Sequence, residues 1–208
     1  METLLKAENI CKKYNGISII DNFNIDAKEG ESIAIIGPSG AGKSTLLHIL
    51  SGLDYYDSGN IDYPKASIKS STHLRTKYFG FIYQFHFLID ELTVLENILV
   101  ASNWNHEEYA LSLLKRFKLL DKKDSLPYAL SGGQKQRVAI IRGLINFPKI
   151  LFADEPTGNL DHETSKIIQD EILDLVKEYF MTAIIATHDL EFAHKMDRII
   201  EIGSDDDT

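Results

Sequence analysis

The sequence predicts an α/β domain with a mainly parallel core sheet, an N-terminal antiparallel β-subdomain and a helical subdomain. Short apolar runs alternate with helical segments, which favours a parallel sheet packed between helices. Residues 4–10 and 17–26 instead alternate apolar and polar side chains, as antiparallel strands with one buried face do. Residues 85–147 are mainly helical in pattern and interrupt the alternation, so they predict the subdomain.

The elements of the first half follow from apolar runs and the residues that break them. In order, they are a strand at Ser32–Ile36, a helix at Gly42–Ser51, a turn at Asp57–Gly59 and a strand at Tyr78–Tyr83. The first of these strands is almost continuously apolar and ends at Gly37, which indicates a parallel strand buried on both faces. Residues 60–77 are polar and show little pattern.

In the second half, a helical pattern from Thr93 to Lys118 has a break near Asn103–Asn105. The later elements are a helix at Gly132–Asn146, a strand at Ile150–Ala153, a helix at Asp161–Phe180 and strands at Thr182–Ala186 and Arg198–Ile202. Pro148 halts the first of these helices. One face of the second helix carries Ile168, Ile172, Leu175 and Tyr179. Asp161 and Glu163 suit its positive N-terminal end.

Size and composition bound the function. The chain has 208 residues, predicted as one domain over 1–203 followed by an acidic tail at 204–208. A net charge of −9 argues against a nucleic-acid partner. The single cysteine, Cys11, is predicted to be a small buried side chain. No stretch approaches the roughly 18 apolar residues of a membrane-spanning helix.

A phosphate-binding loop is predicted between the first parallel strand and its helix. The segment Gly37-Pro38-Ser39-Gly40-Ala41-Gly42-Lys43-Ser44-Thr45 matches the pattern G-x-x-x-x-G-K-[ST]. The glycines let backbone N–H groups wrap the phosphates, and the helix N-terminus adds a favourable dipole. Lys43 is predicted to reach the terminal phosphates and the Ser44 hydroxyl to ligate Mg²⁺. The alternative is a glycine-rich turn with a surface lysine.

The strand at Ile150–Ala153 ends in two carboxylates. Asp154 stands at the carboxyl end of a buried strand, where such folds place a magnesium-associated aspartate. Glu155, one residue further on, is then a general base for the attacking water. The alternative is an acidic exit from strand to loop.

The segment Leu130-Ser131-Gly132-Gly133-Gln134 opens a helix and provides a second set of backbone N–H groups and a hydroxyl for an anion. Since the chain already has one phosphate loop, a second cradle suggests that nucleotide is shared between two chains. The alternative is an ordinary helix cap by Ser131, which stabilises a helix by roughly 1 kcal/mol.

Taken together, these segments resemble the ABC ATPase family over nearly the whole chain. Gly37–Thr45 resembles the family's Walker A loop, Ile150–Glu155 resembles Walker B, and Leu130–Gln134 is identical to the signature segment. Single positions resemble the adenine-stacking aromatic, the Q-loop glutamine, the D-loop aspartate and the switch histidine, namely Tyr14, Gln84, Asp161 and His188. From the residues alone, Tyr14 also fits a core-facing aromatic, Gln84 a polar strand end and His188 a histidine at the core edge.

The resemblance implies a head-to-tail dimer with a second copy of the chain, using ATP and Mg²⁺. Each ATP would lie between the P-loop of one copy and the signature segment of the other, contacted there by Ser131, Gly132, Gly133 and Gln134. The implied catalytic residues are Glu155 as general base, His188 at the γ-phosphate, Gln84 and Lys43. The implied magnesium ligands are Ser44, Gln84 and Asp154.

A closer resemblance concerns the transport task. Ala153–Asp161 has the form found in bacterial ATPases of lipoprotein release, macrolide export and cell division, and Phe79–Asn97 is most similar to the lipoprotein-releasing group. This implies integral membrane partners and a peripheral position on the cytoplasmic face of the bacterial inner membrane. In the segment after Gln84, Phe85 and Leu92 are predicted to fill the core. The apolar side chains predicted to dock the partner are Phe87, Leu88 and Ile89.

Other function classes fit less well. A macrolide-type or cell-division ATPase of the same subgroup is the first alternative. A soluble ABC ATPase of translation or DNA repair would need a second ATPase domain, or a long coiled coil or zinc modules, and none of these is present in the sequence. A GTPase would need an Asn-Lys-x-Asp motif, and a non-hydrolysing scaffold would not need Lys43, Glu155 and His188 together.

Overall fold

The computed structural model describes residues 2–64 and 78–203. The predicted tail at 204–208 and most of the polar stretch at 60–77 lie outside these residues. The strands are β1 (Thr3–Tyr14), β2 (Ile17–Lys28), β3 (Ser32–Ile36), β4 (Ser58–Asp62), β5 (Phe79–Ile82), β6 (Ile150–Asp154), β7 (Thr182–Ala186) and β8 (Arg198–Glu201). The helices are α1 (Lys43–Leu50), α2 (Val94–Leu99), α3 (Glu107–Arg116), α4 (Gly132–Leu144), α5 (His162–Glu178) and α6 (Leu190–Ala193).

A five-stranded parallel sheet in the order β5-β6-β7-β3-β8 forms the centre of the molecule. Because successive side chains of a strand point to opposite faces, β3 supplies both halves of the core. Ile33 and Ile35 pack on the face covered by α1 and the N-terminal sheet. Ala34 packs on the face covered by the other helices. Both faces are buried, so the strands are nearly continuous apolar runs and the predicted α/β class is confirmed.

The N-terminal sheet is antiparallel, in the order β2-β1-β4. The prediction of a turn at Asp57–Gly59 is wrong, since Ser58 and Gly59 begin β4 and Ser58 pairs with Cys11. The register shifts between Glu8 and Cys11, and there the β1 backbone comes so close that a Cβ on Gly59 would lie 2.5 Å from the Asn9 carbonyl oxygen. The turn-like composition therefore reflects a close backbone approach within a sheet.

The helical block packs α2, α3 and α4 around one apolar cluster. The break predicted at Asn103–Asn105 is present, but it is wider than predicted. Helix α2 ends at Leu99, and the backbone of Asn103, Trp104 and His106 adopts positive φ before α3 begins. The short helix α6 was not predicted. None of the described helices is long and apolar enough to cross a membrane.

Candidate active site

The loop between β3 and α1 has the geometry of an anion cradle. Gly42 caps α1 with a φ of 90°, and a Cβ there would lie 2.8 Å from the Ile19 side chain, so only glycine fits. The Lys43 ammonium donates to the carbonyl oxygens of Gly37 at 2.8 Å and Pro38 at 3.0 Å. The loop borders a cleft of about 250 Å³, which is lined by Tyr14, Ile19, Gly40, Gly42, Lys43, Ser44 and Thr45.

Tyr14 stands at the other end of that cleft. Its ring is 44% exposed, so it is not the core-facing aromatic that was the alternative. The phenol donates to the Asp54 carboxylate, a bond that raises the pKa of Tyr14 and lowers the pKa of Asp54. The buried Lys12 ammonium lies 4.8 Å from the ring centroid and also contacts Asp54 at 3.4 Å. Two side chains, Asp54 and Lys12, thus fix a partly exposed aromatic ring that lines the cleft.

Strand β6 delivers Asp154 and Glu155 to the same edge of the sheet as the phosphate loop. Asp154 is buried, and the Glu155 backbone N–H donates to the Ala186 carbonyl at 3.0 Å. Glu155 has a φ of 44°, a strained conformation for a residue with a Cβ. His188, which follows β7, places its Nδ1 2.9 Å from a Glu155 carboxylate oxygen. The structure therefore brings the predicted base and the predicted γ-phosphate contact together.

The signature segment lies at the start of α4, where Ser131 and Gln134 form a capping box. The Gln134 N–H donates to the Ser131 hydroxyl at 3.3 Å, and the Ser131 N–H donates to the Gln134 side chain at 2.8 Å. A Cβ on Gly133 would lie 2.9 Å from Leu160, so glycine permits close packing against the loop before α5. Asp161 caps α5 by accepting the Thr164 N–H at 2.9 Å, a bond that lowers the pKa of Asp161.

The signature segment does not line the cleft beside the phosphate loop of the same chain. Among the described residues, none from Leu130 to Gln134 lines the cleft that Lys43, Ser44 and Tyr14 border. The segment keeps its helix N-terminus exposed at Ser131 and Gly132. Both interpretations of Ser131 are thus compatible with the geometry, since the side chain caps a helix and the N-terminus stays open to an anion.

Gln84 is exposed just after β5, and its carbonyl accepts the Asn159 side-chain amide at 2.8 Å. The segment that follows is held by side chains that sequence reasoning missed. The side-chain oxygen of buried Gln136 lies 2.6 Å from His86 Nδ1, and its amide nitrogen donates to the Tyr83 carbonyl at 3.3 Å and the Pro156 carbonyl at 2.9 Å. Gln136 therefore links the residues on both sides of Gln84 to the loop after Glu155.

Two more missed side chains hold the same segment further along. Arg142 donates to the carbonyls of His86 and Phe87 at 2.7 and 2.6 Å. Buried Asn97 accepts the Ile89 N–H at 2.8 Å and donates back to the Ile89 carbonyl at 3.0 Å. Gln136 and Asn97 occupy core positions of helical patterns although they are polar. This was the signal from which their buried hydrogen bonds could have been predicted.

An exposed apolar patch lies on this segment. Its members are Phe85, Phe87 and Ile89, which are 65%, 64% and 42% exposed; we call them the docking patch. The prediction that Phe85 fills the core is wrong, since its ring contacts only Phe87 among the described aromatic pairs, at 6.3 Å. Leu88, which was predicted to dock the partner with Phe87 and Ile89, is only partly exposed and packs against the helical core, so it is not counted in the patch.

The magnesium ligands predicted from the sequence are Ser44, Gln84 and Asp154. In the described part of the chain, no group of three or more His, Cys, Asp or Glu side chains could hold a metal ion. A buried carboxylate at a strand end and a hydroxyl on the first turn of α1 nevertheless suit Mg²⁺, which takes few protein oxygens and completes its shell with phosphate and water.

Comparison with known proteins agrees with this geometry. The family model described as "ABC transporter" matches residues 20–158. The chain is 44% identical to the lipoprotein-releasing system ATP-binding protein LolD of Ehrlichia canis, over 98% of this chain and 97% of the relative. It is 41% identical to the LolD protein of Rickettsia conorii, over 96% of this chain and 95% of the relative.

Two solved structures are also similar. One is the dimeric structure of MJ0796, a bacterial ABC transporter cassette, with a TM-score of 0.87, 35% identity and coverage of 95% of this chain and 94% of that chain. The other is a dimeric post-hydrolysis state of the same cassette bound to ADP and Pi, with a TM-score of 0.86, 35% identity and the same coverage.

Proposed function

The chain belongs to the ABC transporter family as an ATP-binding subunit, and from that premise we propose that it powers the release of lipoproteins from a bacterial inner membrane. The proposal rests on similarity to lipoprotein-releasing ATPases that extends over almost the full length of both chains. Its partners are a second copy of itself and integral membrane subunits of the LolC/LolE type. It works as a peripheral subunit on the cytoplasmic face of that membrane.

Two copies share each nucleotide in this proposal. The P-loop and Tyr14 of one copy bind the phosphates and the adenine ring, and the signature segment of the other copy closes over the terminal phosphate. The separation of these two parts within one chain supports the arrangement, because a helix N-terminus that does not reach its own cleft can serve another. The dimeric form of the similar cassette supports it further.

Hydrolysis then follows from the residues at the sheet edge. The Glu155 carboxylate takes a proton from water as the water oxygen bonds to the γ-phosphorus, and the bond from phosphorus to the β-phosphate bridging oxygen breaks to release ADP and phosphate. His188, whose Nδ1 is held 2.9 Å from Glu155, orients the carboxylate and contacts the γ-phosphate. The Lys43 ammonium offsets negative charge on the terminal phosphates.

A bound Mg²⁺ would be held by the Ser44 hydroxyl, Gln84 and Asp154, with the nucleotide phosphates supplying other ligands. It would supply positive charge beside the β- and γ-phosphates. Asp154 provides the protein carboxylate for this role from the end of a buried strand. Gln84 belongs to the segment with the docking patch, so a membrane partner pressing on that patch can shift the Gln84 side chain.

The proposal is tested by reconstitution. The chain is co-expressed with the LolC/LolE-type subunits of its own genome, and the purified complex is placed in liposomes that contain a lipoprotein. We expect ATP-dependent transfer of lipoprotein to a soluble acceptor, lost when Glu155→Gln replaces the wild type. If the complex forms and hydrolyses ATP but releases no lipoprotein, another export task of the subgroup is the function.

The docking patch gives a second test. Phe85→Ser with Phe87→Ser removes most of the exposed apolar surface and should weaken co-purification with the membrane subunits while sparing the ATPase of the isolated chain. Phe180→Ser is the matched control, because Phe180 is also an exposed phenylalanine with positive φ, just before β7. Equal binding by the double variant and the control would remove the docking assignment.

A further inference from the structure

Gln169 is a polar residue in an apolar place. It lies on α5 and is 1% exposed, next to the core residue Ile168. Its amide Nε2 donates to the Thr157 hydroxyl at 3.1 Å and to an Asp189 carboxylate oxygen at 2.9 Å. Its carbonyl oxygen is buried, and no described residue donates to it. A buried carbonyl without a donor destabilises the fold, so an amide has a cost at this position. What the amide provides, and an apolar side chain would not, is the two hydrogen bonds that it donates.

The two acceptors belong to different loops, and each loop carries one of the proposed hydrolytic residues. Thr157 lies two residues after Glu155, and Asp189 directly follows His188. Gln169 therefore spans the exits of β6 and β7, beneath the residues whose side chains meet at 2.9 Å.

Each acceptor is also fixed locally. The buried Thr157 accepts the Ser165 hydroxyl at its carbonyl oxygen, at 3.3 Å. Asp189 accepts the Phe192 N–H at 3.1 Å, and its own N–H donates to the Thr187 hydroxyl at 3.1 Å. Burial raises the pKa of Asp189, but the hydrogen bonds from Gln169 and the backbone outweigh it and lower that pKa overall. Asp189 is thus ionised at neutral pH. A hydrogen bond to an ionised carboxylate is stronger than a hydrogen bond between neutral groups.

We propose that Gln169 is a positioning residue that holds the Glu155 loop and the His188 loop in register for hydrolysis. The inference rests on the hydrolytic roles proposed above for Glu155 and His188. Gln169 does not line the cavity of about 460 Å³ that Glu155, Thr157, His188 and Asp189 border, so it acts through Thr157 and Asp189. If Gln169 only filled space in the core, an apolar side chain of similar size would serve as well.

The test is the ATPase of the full chain carrying Gln169→Met, which keeps the length of the side chain and removes both donors. We expect kcat to fall about tenfold, the effect of losing a hydrogen bond to a charged group, with KM for ATP unchanged because the phosphate loop is untouched. Ile172→Val is the matched control, because it trims another fully buried side chain of α5 without removing a hydrogen-bond donor, and its kcat should stay at the wild-type value.

A double-variant comparison separates positioning from a merely structural role. In a His188→Ala background, Gln169→Met should change the residual single-turnover rate less than about twofold, because the register of the two loops matters only while His188 can meet Glu155. A further tenfold loss there, or an unchanged kcat in Gln169→Met alone, overturns the inference. If Gln169→Met does not fold, Thr157→Val removes one acceptor instead and should lower kcat with KM unchanged; an unchanged kcat counts against the inference. If Glu155→Gln and His188→Ala both hydrolyse ATP normally, the proposed hydrolytic site itself fails, whatever Gln169 does.

Discussion

Glu155 has a strained backbone conformation that its neighbours hold in place. A non-glycine residue at a φ of 44° costs on the order of 1 kcal/mol, and it persists where the surroundings hold it in place. Here the backbone N–H is bonded to Ala186 and the carboxylate contacts His188. Asp154 is the last residue of β6, whereas Glu155 follows the strand with a positive φ, so the two adjacent carboxylates have different surroundings.

Replacing Glu155 by glutamine tests its proposed role. Glutamine keeps the size of the side chain but cannot take a proton from water, so ATP should bind with near wild-type affinity while turnover is lost. The same variant should accumulate a stable dimer with ATP, seen by size-exclusion chromatography. Nucleotide binding and hydrolysis are measured on one preparation, and hydrolysis near the wild-type rate would show that Glu155 is not the base.

At the scale of elements, a side chain joins β3 to the start of β8 in addition to the backbone hydrogen bonds between the two strands. The Asp197 carboxylate, just before β8, accepts the Ser32 backbone N–H at 2.8 Å and the Ser32 hydroxyl at 2.7 Å. The bond from the Ser32 hydroxyl, followed by the bond from its backbone, lowers the pKa of Asp197 from its ordinary value of 3.8. A depressed carboxyl pKa means that the bond stabilises the fold while Asp197 is ionised.

The stability of Asp197→Ala should therefore depend on pH relative to the wild type. Above pH 4 the variant should lose about 1 kcal/mol of unfolding free energy, a modest value because the carboxylate is exposed to solvent. As pH falls below 3.8 and through the lower folded pKa, the wild type loses the same contribution and the two proteins should converge. Urea unfolding at a series of pH values measures this, and a constant difference would contradict the assignment.

The sequence predicted the central elements well because their signals are local. The runs that became β3, β6 and β7 are apolar on both faces, and buried parallel strands require this pattern. Strand β4 was missed because its pairing with β1 depends on a distant segment, and Gly59 looked like a turn residue. The contacts of Gln136, Asn97 and Gln169 were missed because the partners of a buried amide are set by the fold.

At the scale of the whole molecule, the phosphate loop, Glu155 and His188 lie at the carboxyl edge of one sheet, while the signature segment begins a helix of another layer. Residues such as Lys43 were identifiable from a motif with a known chemical purpose. How the chain joins with its partners was not predictable from residue patterns alone, since it depends on surfaces that exist only after folding. The docking patch shows this, because Phe85 is exposed although it was predicted to fill the core, and Leu88 is partly buried against the helical core.

Mixing two inactive variants shows whether two copies of the chain share each nucleotide site. Lys43→Ala removes the phosphate-loop charge and Ser131→Arg blocks the signature segment, so each variant alone should be inactive. A dimer with one copy of each retains one site with an intact phosphate loop and an intact signature segment, so the mixture should hydrolyse ATP in proportion to the heterodimer fraction. Wild-type hydrolysis by Ser131→Arg alone would contradict the account, because it would show that one chain hydrolyses ATP without the signature segment of the other.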